Sequence, residues 1–260
     1  KKKSAYLMHG CVEHENRINL CEDQAMNKTE RETMALADRI YAVSDHFALW
    51  LKENYPEYAG KIRSRKNGMD IKADDAPSRT KRDRNMILAV GGGMPRKRIV
   101  NICRAVKELK KEEEYKDLRL IVIGDKGADS EKVDAFDFVD DKGIVSHDET
   151  VRLMEKAYLF VQNSCFETFG LAPLEALSHG CDLLFSKETG ALEIFTGTDD
   201  RYIINDCEDT EEIGQKIRGL LRQGNNAALV SSVDKETVSW KNRTRELLQE
   251  LMDLMNTQTG

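Results

Sequence analysis

The sequence predicts an α/β fold in which helices cover both faces of a parallel sheet. Short apolar runs alternate with longer amphipathic segments along the chain, and strands that are joined through helices lie parallel in such folds. The apolar runs have the length of strands and are far too short to cross a bilayer. A chain of 260 residues can hold one large α/β domain or about two smaller ones.

The individual elements follow from the spacing of the apolar residues. The runs that predict strands are Ala5–Met8, Arg39–Val43, Met86–Val90, Arg119–Ile123, Tyr158–Gln162 and Asp182–Phe185. The segments with a helical apolar period are Thr29–Ala37, His46–Asn54, Ile99–Lys110, Glu149–Lys156, Leu171–His179 and Thr210–Arg222. A last helix is predicted near Lys235–Asn256, where leucines repeat at a helical spacing.

A polar stretch at 70–85 divides the chain. It carries Pro77 and has no periodic apolar pattern, so it predicts a linker or loop. A self-contained run of strand–helix units follows it and reaches about Leu221. Only two predicted strands and two predicted helices precede it, which are too few for an independent core. We therefore expect residues 1–70 to be the end of another domain and the chain to be a fragment of a longer protein.

Composition disfavours several classes of protein. Hydrophobic residues make up 40% and charged residues 33% of the chain, which indicates a folded domain. The net charge of −6 disfavours binding to nucleic acid, which depends on Lys and Arg neutralising phosphates. The six cysteines are widely spaced, without a CxxC pair, and predict reduced thiols in a cytoplasmic protein. The histidines are scattered, so the sequence predicts no metal site.

A glycine-rich loop follows the predicted strand at 86–90. Gly91, Gly92 and Gly93 let the backbone approach a ligand closely at the carboxyl end of a strand, where ligands of parallel sheets bind. Basic residues follow at 96–98. The spacing matches neither a dinucleotide-binding fingerprint nor a P-loop. A tight turn with solvated basic residues is an equally good interpretation of this segment taken alone.

A second loop, after the predicted strand at 158–162, gives a more specific signal. The next helix begins near Thr168–Leu171, and the free backbone N–H groups at a helix amino end favour an anion. Glu167 precedes this helix and Glu175 lies about two turns along it, so both carboxylates can border one cleft. Alternatively, Glu167 caps the helix and Glu175 is solvated, although its apolar neighbours leave it in need of a polar partner.

Residues 166–180, FETFGLAPLEALSHG, resemble the Glu-x7-Glu signature of glycosyltransferase family 4 and its glycogen-synthase-like relatives. Further segments resemble the family in the same order along the chain. They match the last acceptor-lobe strand (40–44), the Asn-Gly crossover (65–70), the Val-Gly-Arg…Lys loop (90–97), the next strand (120–124) and the glycine-plus-Glu segment (186–194). The resemblance implies a two-lobed GT-B fold, with a Rossmann-like donor lobe at 71–234 and the remnant of a second Rossmann-like lobe at 1–70.

The resemblance also implies a role for each matched residue. Glu175 would bind the ribose hydroxyls of a nucleoside diphosphate sugar, and Glu167 would bind hydroxyls of the transferred sugar. The implied nucleotide-sugar-binding residues are Gly91, Gly92, Lys97, Thr168, Phe169, Gly170, Leu171 and Glu175. His9 matches a histidine at the lobe interface and, with Glu167, is implied in catalysis. A lone histidine at a strand end equally suits a structural role.

The chain departs from the family pattern at three places. Gly92 stands where the family usually has Arg, so one cation for the diphosphate is missing unless Arg96 or Arg98 reaches the site. Asp182 stands where the family usually has Pro, and residues 162–163 are Gln-Asn in place of its Pro-Ser. These differences predict a divergent member of the family.

The family resemblance further implies where the last helix lies. Residues 235–260 would leave the donor lobe near Trp240 and pack back on the remnant of the first lobe, against Thr29–Ala37 and His46–Leu51. A helix of about twenty residues is ~30 Å long and can span this distance. The remaining face of the remnant is then expected to be exposed and apolar, which favours contact with a partner subunit or a membrane surface.

The activity implied by the resemblance is that of a hexosyltransferase in carbohydrate or polysaccharide biosynthesis. Such an enzyme moves a sugar from a nucleoside diphosphate sugar to an acceptor hydroxyl with retention, and needs no metal or other cofactor. The acceptor is a glycan, a lipid or a protein. Three alternatives stay open: a module that binds the nucleotide sugar without turnover, a sugar-nucleotide 2-epimerase, and a structural lobe that supports a partner subunit.

Overall fold

The computed structural model describes residues 3–71 and 78–256, and these residues form two parallel β-sheets. The smaller sheet precedes residues 72–77 and the larger sheet follows them. Helices connect successive strands in both sheets, which gives the predicted α/β class. Within the described residues, no helix is long and apolar enough to cross a membrane.

The smaller sheet consists of β1 (Ala5–Met8), β2 (Arg39–Ala42) and β3 (Ile62–Ser64), in that order and all parallel. Its strands are connected by α1 (Val12–Asn19), α2 (Gln24–Leu36) and α3 (Asp45–Asn54). Ser44 is the N-cap of α3, since its hydroxyl accepts the N–H of Phe47 at 2.9 Å. Ile40 and Ala42, on one face of β2, are fully buried.

The larger sheet contains β4 (Asp83–Val90), β5 (Arg119–Ile123), β6 (Val139–Asp141), β7 (Ala157–Gln162), β8 (Asp182–Ser186) and β9 (Ile203–Ile204). Its strand order is β6-β5-β4-β7-β8-β9, and every neighbouring pair is parallel. Its helices are α4 (Ile99–Leu109), α5 (Ser130–Asp134), α6 (His147–Lys156), α7 (Leu171–Ser178), α8 (Thr210–Gln223) and α9 (Asn226–Ser231). Strands β4 and β7 are therefore adjacent at the centre of the sheet. Because they are parallel, the loops that follow them lie side by side at the carboxyl ends of the strands.

Both faces of the larger sheet are buried. Ile87 and Ala89 of β4 lie in one apolar cluster, and Leu88 between them lies in the other, as the alternation of a strand requires. Every residue of β7 is buried, which explains its continuous apolar sequence. The cluster that holds Leu88 also contains Met8 and Ile40 of the smaller sheet, so the two sheets share one core.

The carboxyl-terminal segment forms two helices where one was predicted. These are α10 (Lys235–Val238) and α11 (Trp240–Asn256). Ser239 separates them because its backbone has a ψ of 145°, which is not helical. The side chain of Asp234 caps α10 by accepting the N–H groups of Glu236 and Thr237 at 3.1 and 3.2 Å.

Helix α11 lies beside the crossover between the two sheets. Gly68 packs so closely on the helix that a Cβ there would lie 2.6 Å from the Cα of Trp240. Further along the helix, Glu250 forms an ion pair with Arg65. These contacts fall just after β3, whereas the predicted packing was against Thr29–Ala37 and His46–Leu51. The position of α11 relative to those two helices stays a prediction.

The predicted strands and helices are all present, with ends shifted by up to five residues. The structure adds β3, β6, β9, α1, α5 and α9, so the prediction of only two strands and two helices before the polar stretch was wrong for the described residues. The predicted linker at 70–85 also ends earlier, because β4 begins at Asp83. Residues 72–77, including Pro77, lie outside the described residues.

Candidate functional site

The candidate site lies where the loops after β4 and β7 meet the ends of β1 and β2. The Thr168 hydroxyl donates a hydrogen bond to the carbonyl oxygen of His9, just after β1, at 2.6 Å. The Ser44 hydroxyl, just after β2, donates to the carbonyl oxygen of Thr168 at 2.6 Å. Thr168 and Ser44 are buried. The structure thus brings His9 to the β7 loop through its backbone, and its side chain is exposed.

The conformation of the glycine-rich loop after β4 requires residues without a side chain at positions 91 and 92. Gly91 and Gly92 have φ values of +136° and +55°, and both N–H groups donate to the carbonyl of Ile123, at 2.7 and 3.1 Å. A Cβ at Gly91 would overlap the side-chain stem of Lys97, and a Cβ at Gly92 would overlap the carbonyl oxygen of Asp125. Glycine is therefore required here so that Lys97 and the loop after β5 can pack on the backbone.

Lys97 and Arg96 both turn toward Glu167. The Glu167 Oε2 atom lies 2.5 Å from Lys97 Nζ and 3.3 Å from an Arg96 guanidinium nitrogen. The three side chains are only 11–16% exposed, so these ion pairs are poorly screened by solvent. Burial alone would raise the pKa of Glu167, but Lys97 and Arg96 outweigh burial and hold the pKa below its ordinary value.

Gly92 replaces the arginine that is usual in the family, and Arg96 and Arg98 were the two candidates to supply that positive charge. Of these two, only Arg96 contacts Glu167. Arg96 also donates to the carbonyl oxygen of Phe166 at 3.1 Å. Arg98 has a left-handed backbone, with φ of +49°, and pairs instead with Glu208. A side chain at Gly92 would collide with the loop after β5, and Arg96 is, beside Lys97, the second cation of this loop that contacts Glu167.

The amino end of α7 lies directly after this carboxylate. Gly170 precedes the helix with φ of +92°, and Leu171 is its first residue. The first N–H groups of a helix have no partner within it, and here no side chain caps them. Phe169 is buried, and its carbonyl oxygen accepts the N–H of Ala191 at 2.7 Å, which anchors the turn. The arrangement suits an anion beside Lys97.

Glu175 lies on α7 one turn from the end of the helix and is partly buried. Within residues 3–71 and 78–256, its carboxylate has no hydrogen-bond or ion-pair partner. Its neighbours Leu174 and Ala176 are fully buried, so Glu175 is held on a packed helix with its acceptor oxygens available.

The segment after β8 joins the β7 loop to the smaller sheet. Thr189 forms a bridge with Glu167, and the N–H of Gly190 donates to the Glu167 carbonyl at 3.2 Å. Glu193 then accepts the N–H groups of Asp45 and His46, at 3.0 and 2.5 Å, at the start of α3. A carboxylate at this position complements the helix dipole, so Glu193 links the start of α3 to the segment after β8.

Asp182 and Asn163, two of the other departures from the family pattern, make defined hydrogen bonds, whereas the amide nitrogen of Gln162 is buried without a hydrogen-bond partner among the described residues. Asp182 is 1% exposed and accepts the N–H groups of Asn225 and Asn226, at 2.6 and 2.9 Å, at the start of α9. It also pairs with Arg79 at 2.8 Å. The amide of Asn163 donates to the carbonyl oxygen of Cys207 at 2.8 Å, and so ties the β7 loop to the segment after β9.

Sequence reasoning gave no role in the site to several residues, although Glu193 lies in the 186–194 segment that resembles the family. Ser44 and Glu193 act as caps of α3, and a Ser directly before a helical pattern was the available signal for the first of them. Glu15, on α1, pairs with Arg96 at 3.1 Å. Nothing in the sequence near Glu15 indicates this contact, because it joins two segments that are distant along the chain.

The sequence pattern of the family described as "Glycosyl transferases group 1" matches residues 70–237, more than half of the chain. The chain belongs to the glycosyl transferases group 1 family. The match begins at the crossover and covers both loops of the candidate site. It favours neither the binding module nor the epimerase among the alternatives.

A poly(glycerol-phosphate) alpha-glucosyltransferase of Bacillus subtilis (strain 168) is 36% identical over 69 residues. The match covers 26% of this chain and 10% of that protein. Among solved structures, sucrose-phosphate synthase from Thermosynechococcus elongatus has a TM-score of 0.75 at 18% identity, over 98% of this chain and 68% of that one.

Two further solved structures share the fold. A variant of S. aureus TarM in complex with fondaparinux, α-GlcNAc-glycerol and UDP has a TM-score of 0.70 at 16% identity, over 98% of this chain and 51% of that one. HepE from Anabaena in complex with UDP and glucose also has a TM-score of 0.70, at 15% identity, over 96% of this chain and 72% of that one. These likenesses show that the chain has the Rossmann-like α/β architecture of GT-B glycosyltransferases.

Proposed function

We propose that the chain is mainly the donor-binding half of a retaining glycosyltransferase of the family 4 type. It would transfer a hexosyl group from a nucleoside diphosphate sugar to an acceptor hydroxyl. The observation that carries this proposal is the pairing of Lys97 and Arg96 with Glu167 beside the amino end of α7. Two cations and free helix N–H groups at one place suit a diphosphate.

Each residue then has a distinct task in binding the donor. The backbone N–H groups of Phe169, Gly170 and Leu171, together with Lys97, bind the diphosphate. Glu175 accepts hydrogen bonds from the ribose hydroxyls, and its carboxylate is available for this because it has no partner within the described residues. Glu167 binds hydroxyls of the transferred sugar once the phosphates draw the cations away from it.

The chemistry is chiefly electrostatic stabilisation of the leaving group. The bond between the anomeric carbon and the phosphate oxygen breaks, and its electron pair stays on the diphosphate. The acceptor oxygen forms the new bond on the same face, and its proton passes to the leaving phosphate oxygen. Lys97, Arg96 and the helix N–H groups stabilise the charge that develops there, so the proposal requires neither an enzyme nucleophile nor a metal. His9 lies at the edge of the site nearest the smaller sheet.

The identity of the substrates is also a proposal. UDP is bound in the TarM and HepE structures, which favours a UDP-sugar donor here. The acceptor is a glycan, lipid or protein, bound on the side of the smaller sheet. We further propose contact with a partner subunit or a membrane surface through the part of the chain that holds the smaller sheet, where Leu20, Leu36 and Leu49 are exposed. All six cysteines are free, three of them buried, which supports a cytoplasmic location.

The proposal is tested by offering the protein UDP-, GDP- and ADP-sugars with a panel of acceptors. Release of nucleoside diphosphate that depends on both the acceptor and Lys97 is expected, and the product should keep the anomeric configuration of the donor by NMR. Lys126→Met, which removes an exposed lysine that pairs with Asp134 and Asp141, is the matched control for Lys97→Met.

Three results would contradict the proposal. Inversion at the anomeric carbon would exclude the retaining chemistry. Conversion of the nucleotide sugar without any acceptor would indicate a 2-epimerase. Tight binding of a nucleotide sugar with no transfer to any acceptor would indicate a binding module.

A further inference from the structure

Helix α1 brings a carboxylate of the smaller sheet to the phosphate-facing loop of the larger one. Glu15 Oε2 lies 3.1 Å from one terminal guanidinium nitrogen of Arg96, and the other terminal nitrogen lies 3.3 Å from Glu167 Oε2. The backbone N–H of Arg96 donates to the side-chain oxygen of Asn19, one turn further along α1, at 3.1 Å. Arg96 is therefore shared between the two parts of the molecule.

The position of Glu15 is closely defined by the turn that begins α1. Its Oε1 atom accepts the N–H of Cys11 at 3.3 Å. A Cβ at Gly10 would lie 2.6 Å from the same oxygen, so the carboxylate packs against the Gly10 backbone and a side chain there would displace it. Only 23% of the Glu15 side chain is exposed. The pair with Arg96 is thus a defined contact rather than a chance meeting of surface charges.

The ion pairs of the site leave little cationic capacity for a diphosphate. Lys97 and one end of Arg96 are used by Glu167, and the other end of Arg96 is used by Glu15. The remaining guanidinium nitrogen, Nε, is buried without a hydrogen-bond partner among the described residues. A diphosphate at the amino end of α7 must draw its cationic donors away from these carboxylates.

We infer that Glu15 is a positioning residue that competes with the donor diphosphate for Arg96. This inference rests on the proposed function, since it requires a diphosphate at α7. Coupling between two contacts of one group is reciprocal: if the Glu15 contact weakens diphosphate binding, then diphosphate binding weakens the Glu15 contact by the same factor. Donor binding is thereby linked to the contact of α1 with the larger domain, on the side where the acceptor would bind.

The decisive comparison is between Glu15→Gln and Glu13→Gln. Glu13 lies on the same helix and also pairs with an arginine, since Arg31 donates to it at 2.6 Å, but it does not contact Arg96. Binding of UDP, GDP and ADP is measured by calorimetry, and the tightest of the three is used. We expect Glu15→Gln to tighten its binding about fivefold, and Glu13→Gln to leave it unchanged.

The same comparison in the Arg96→Met protein distinguishes competition for Arg96 from a general effect of removing one negative charge. In the Arg96→Met protein, Glu15→Gln is expected to have no effect on nucleotide affinity, because the group for which Glu15 competes is gone. A simple charge effect would persist in that background. Gly10→Ala, which displaces the Glu15 carboxylate without changing its charge, should tighten binding in the same direction and provides an independent variant should Glu15→Gln fail to fold.

The outcomes distinguish failure of this inference from failure of the proposed function. If the wild-type protein binds none of the three nucleotides, the proposed donor site is contradicted. If the wild type binds and Glu15→Gln binds equally well or more weakly, the competition for Arg96 is contradicted. An equal effect of Glu15→Gln with and without Arg96 would also overturn it.

Discussion

The two loops that face the candidate donor site are built on different principles. The loop after β4 is shaped by its backbone, since Gly91 and Gly92 have positive φ values and pack directly on Lys97 and Asp125. The loop after β7 is held by side chains, with Thr168 bonded to the carbonyl of His9 and Glu167 to two cations. We therefore expect substitutions of Gly91 and Gly92 in the first loop to act mainly on folding, and substitutions in the second loop to act mainly on binding.

The largest effect is expected for Gly92→Ala. The new Cβ would overlap the carbonyl oxygen of Asp125, in a backbone conformation with φ of +55°. The combined strain and overpacking should cost about 2–4 kcal/mol of unfolding free energy. Gly92→Arg, which introduces the residue usual in the resembling family, should be at least as destabilising. Urea denaturation measures both variants.

Gly219→Ala is the matched control for this prediction. Gly219 lies within α8, and nothing lies within 4 Å of a Cβ built there. Alanine in a helix interior should stabilise the protein by about 0.5–1 kcal/mol. A Gly92→Ala protein as stable as the wild type would show that the loop after β5 adapts to a side chain, and the contrast between the two loops would fail.

The next largest effect is expected at Gly170, where a substitution should weaken nucleotide binding more than it lowers stability. Gly170→Val places a branched side chain at φ of +92°, with its Cβ 3.0 Å from Thr189 Cγ2, at the proposed phosphate position. Nucleotide binding should be abolished, with a loss of about 2 kcal/mol in unfolding free energy. Gly197→Val shares the positive φ, at +70°, but has open space around it. It should lose similar stability and keep full affinity for nucleotide.

A smaller effect is expected for Glu175→Ala. Loss of a charged hydrogen bond to ribose, worth about 1.5–3 kcal/mol, should weaken nucleoside diphosphate binding by roughly tenfold or more while the fold is kept. Glu108→Ala, on the exposed face of α4, should have no effect. Unchanged affinity in Glu175→Ala would remove this residue from the site.

Glu167 should behave differently from Glu175, although the two belong to one motif. Its carboxylate forms ion pairs with Lys97 and Arg96. Glu167→Ala is therefore expected to keep or tighten the binding of bare nucleoside diphosphate, and to weaken the intact nucleotide sugar, whose hydroxyls it would bind. A calorimetric comparison of UDP with UDP-sugar on this variant checks both expectations. Equal losses for the two ligands would contradict the division of roles.

The smallest effect is a pH dependence of stability. The pKa of Glu167 is lower in the folded protein than its ordinary value of 4.5, since the two cations outweigh burial. The stabilisation by this group is therefore fully present above pH 4.5 and lost as the pH falls through the lower folded pKa. The difference in unfolding free energy between wild type and Glu167→Gln should be constant at neutral pH and shrink on acidification. A difference that grew in acid would contradict the sign.

Sequence reasoning identified the central strands and the edge strand β1, but it missed the three shortest edge strands. β4, β5, β7 and β8 are buried on both faces and appear as continuous apolar runs. β3, β6 and β9 lie at sheet edges and have two or three residues each, with polar side chains in β3 and β6. Such short edge strands need no long apolar run, so no pattern in the local sequence distinguishes them from loops.

The same limit applies to the site. Glu167, Gly170 and Glu175 were predicted because their chemistry depends on local spacing along one loop and helix. Helix α1 was missed because its sequence, VEHENRIN, is mostly polar, and none of its residues is buried. Its contact with Arg96 is set by the packing of two distant segments. The need for glycine at Gly92 likewise depends on Asp125, more than thirty positions away.

Binding of a diphosphate between Lys97 and the amino end of α7 is tested most directly by one titration. UDP, GDP and ADP are titrated by calorimetry into the wild-type protein and into Lys97→Met, with Lys126→Met as the control. At least one nucleotide should bind the wild type and Lys126→Met with equal affinity, and should bind Lys97→Met at least tenfold more weakly, since a charge-assisted contact to phosphate is worth about 1.5–3 kcal/mol. Equal binding to all three proteins, or no binding to the wild type, would contradict a diphosphate site at this position.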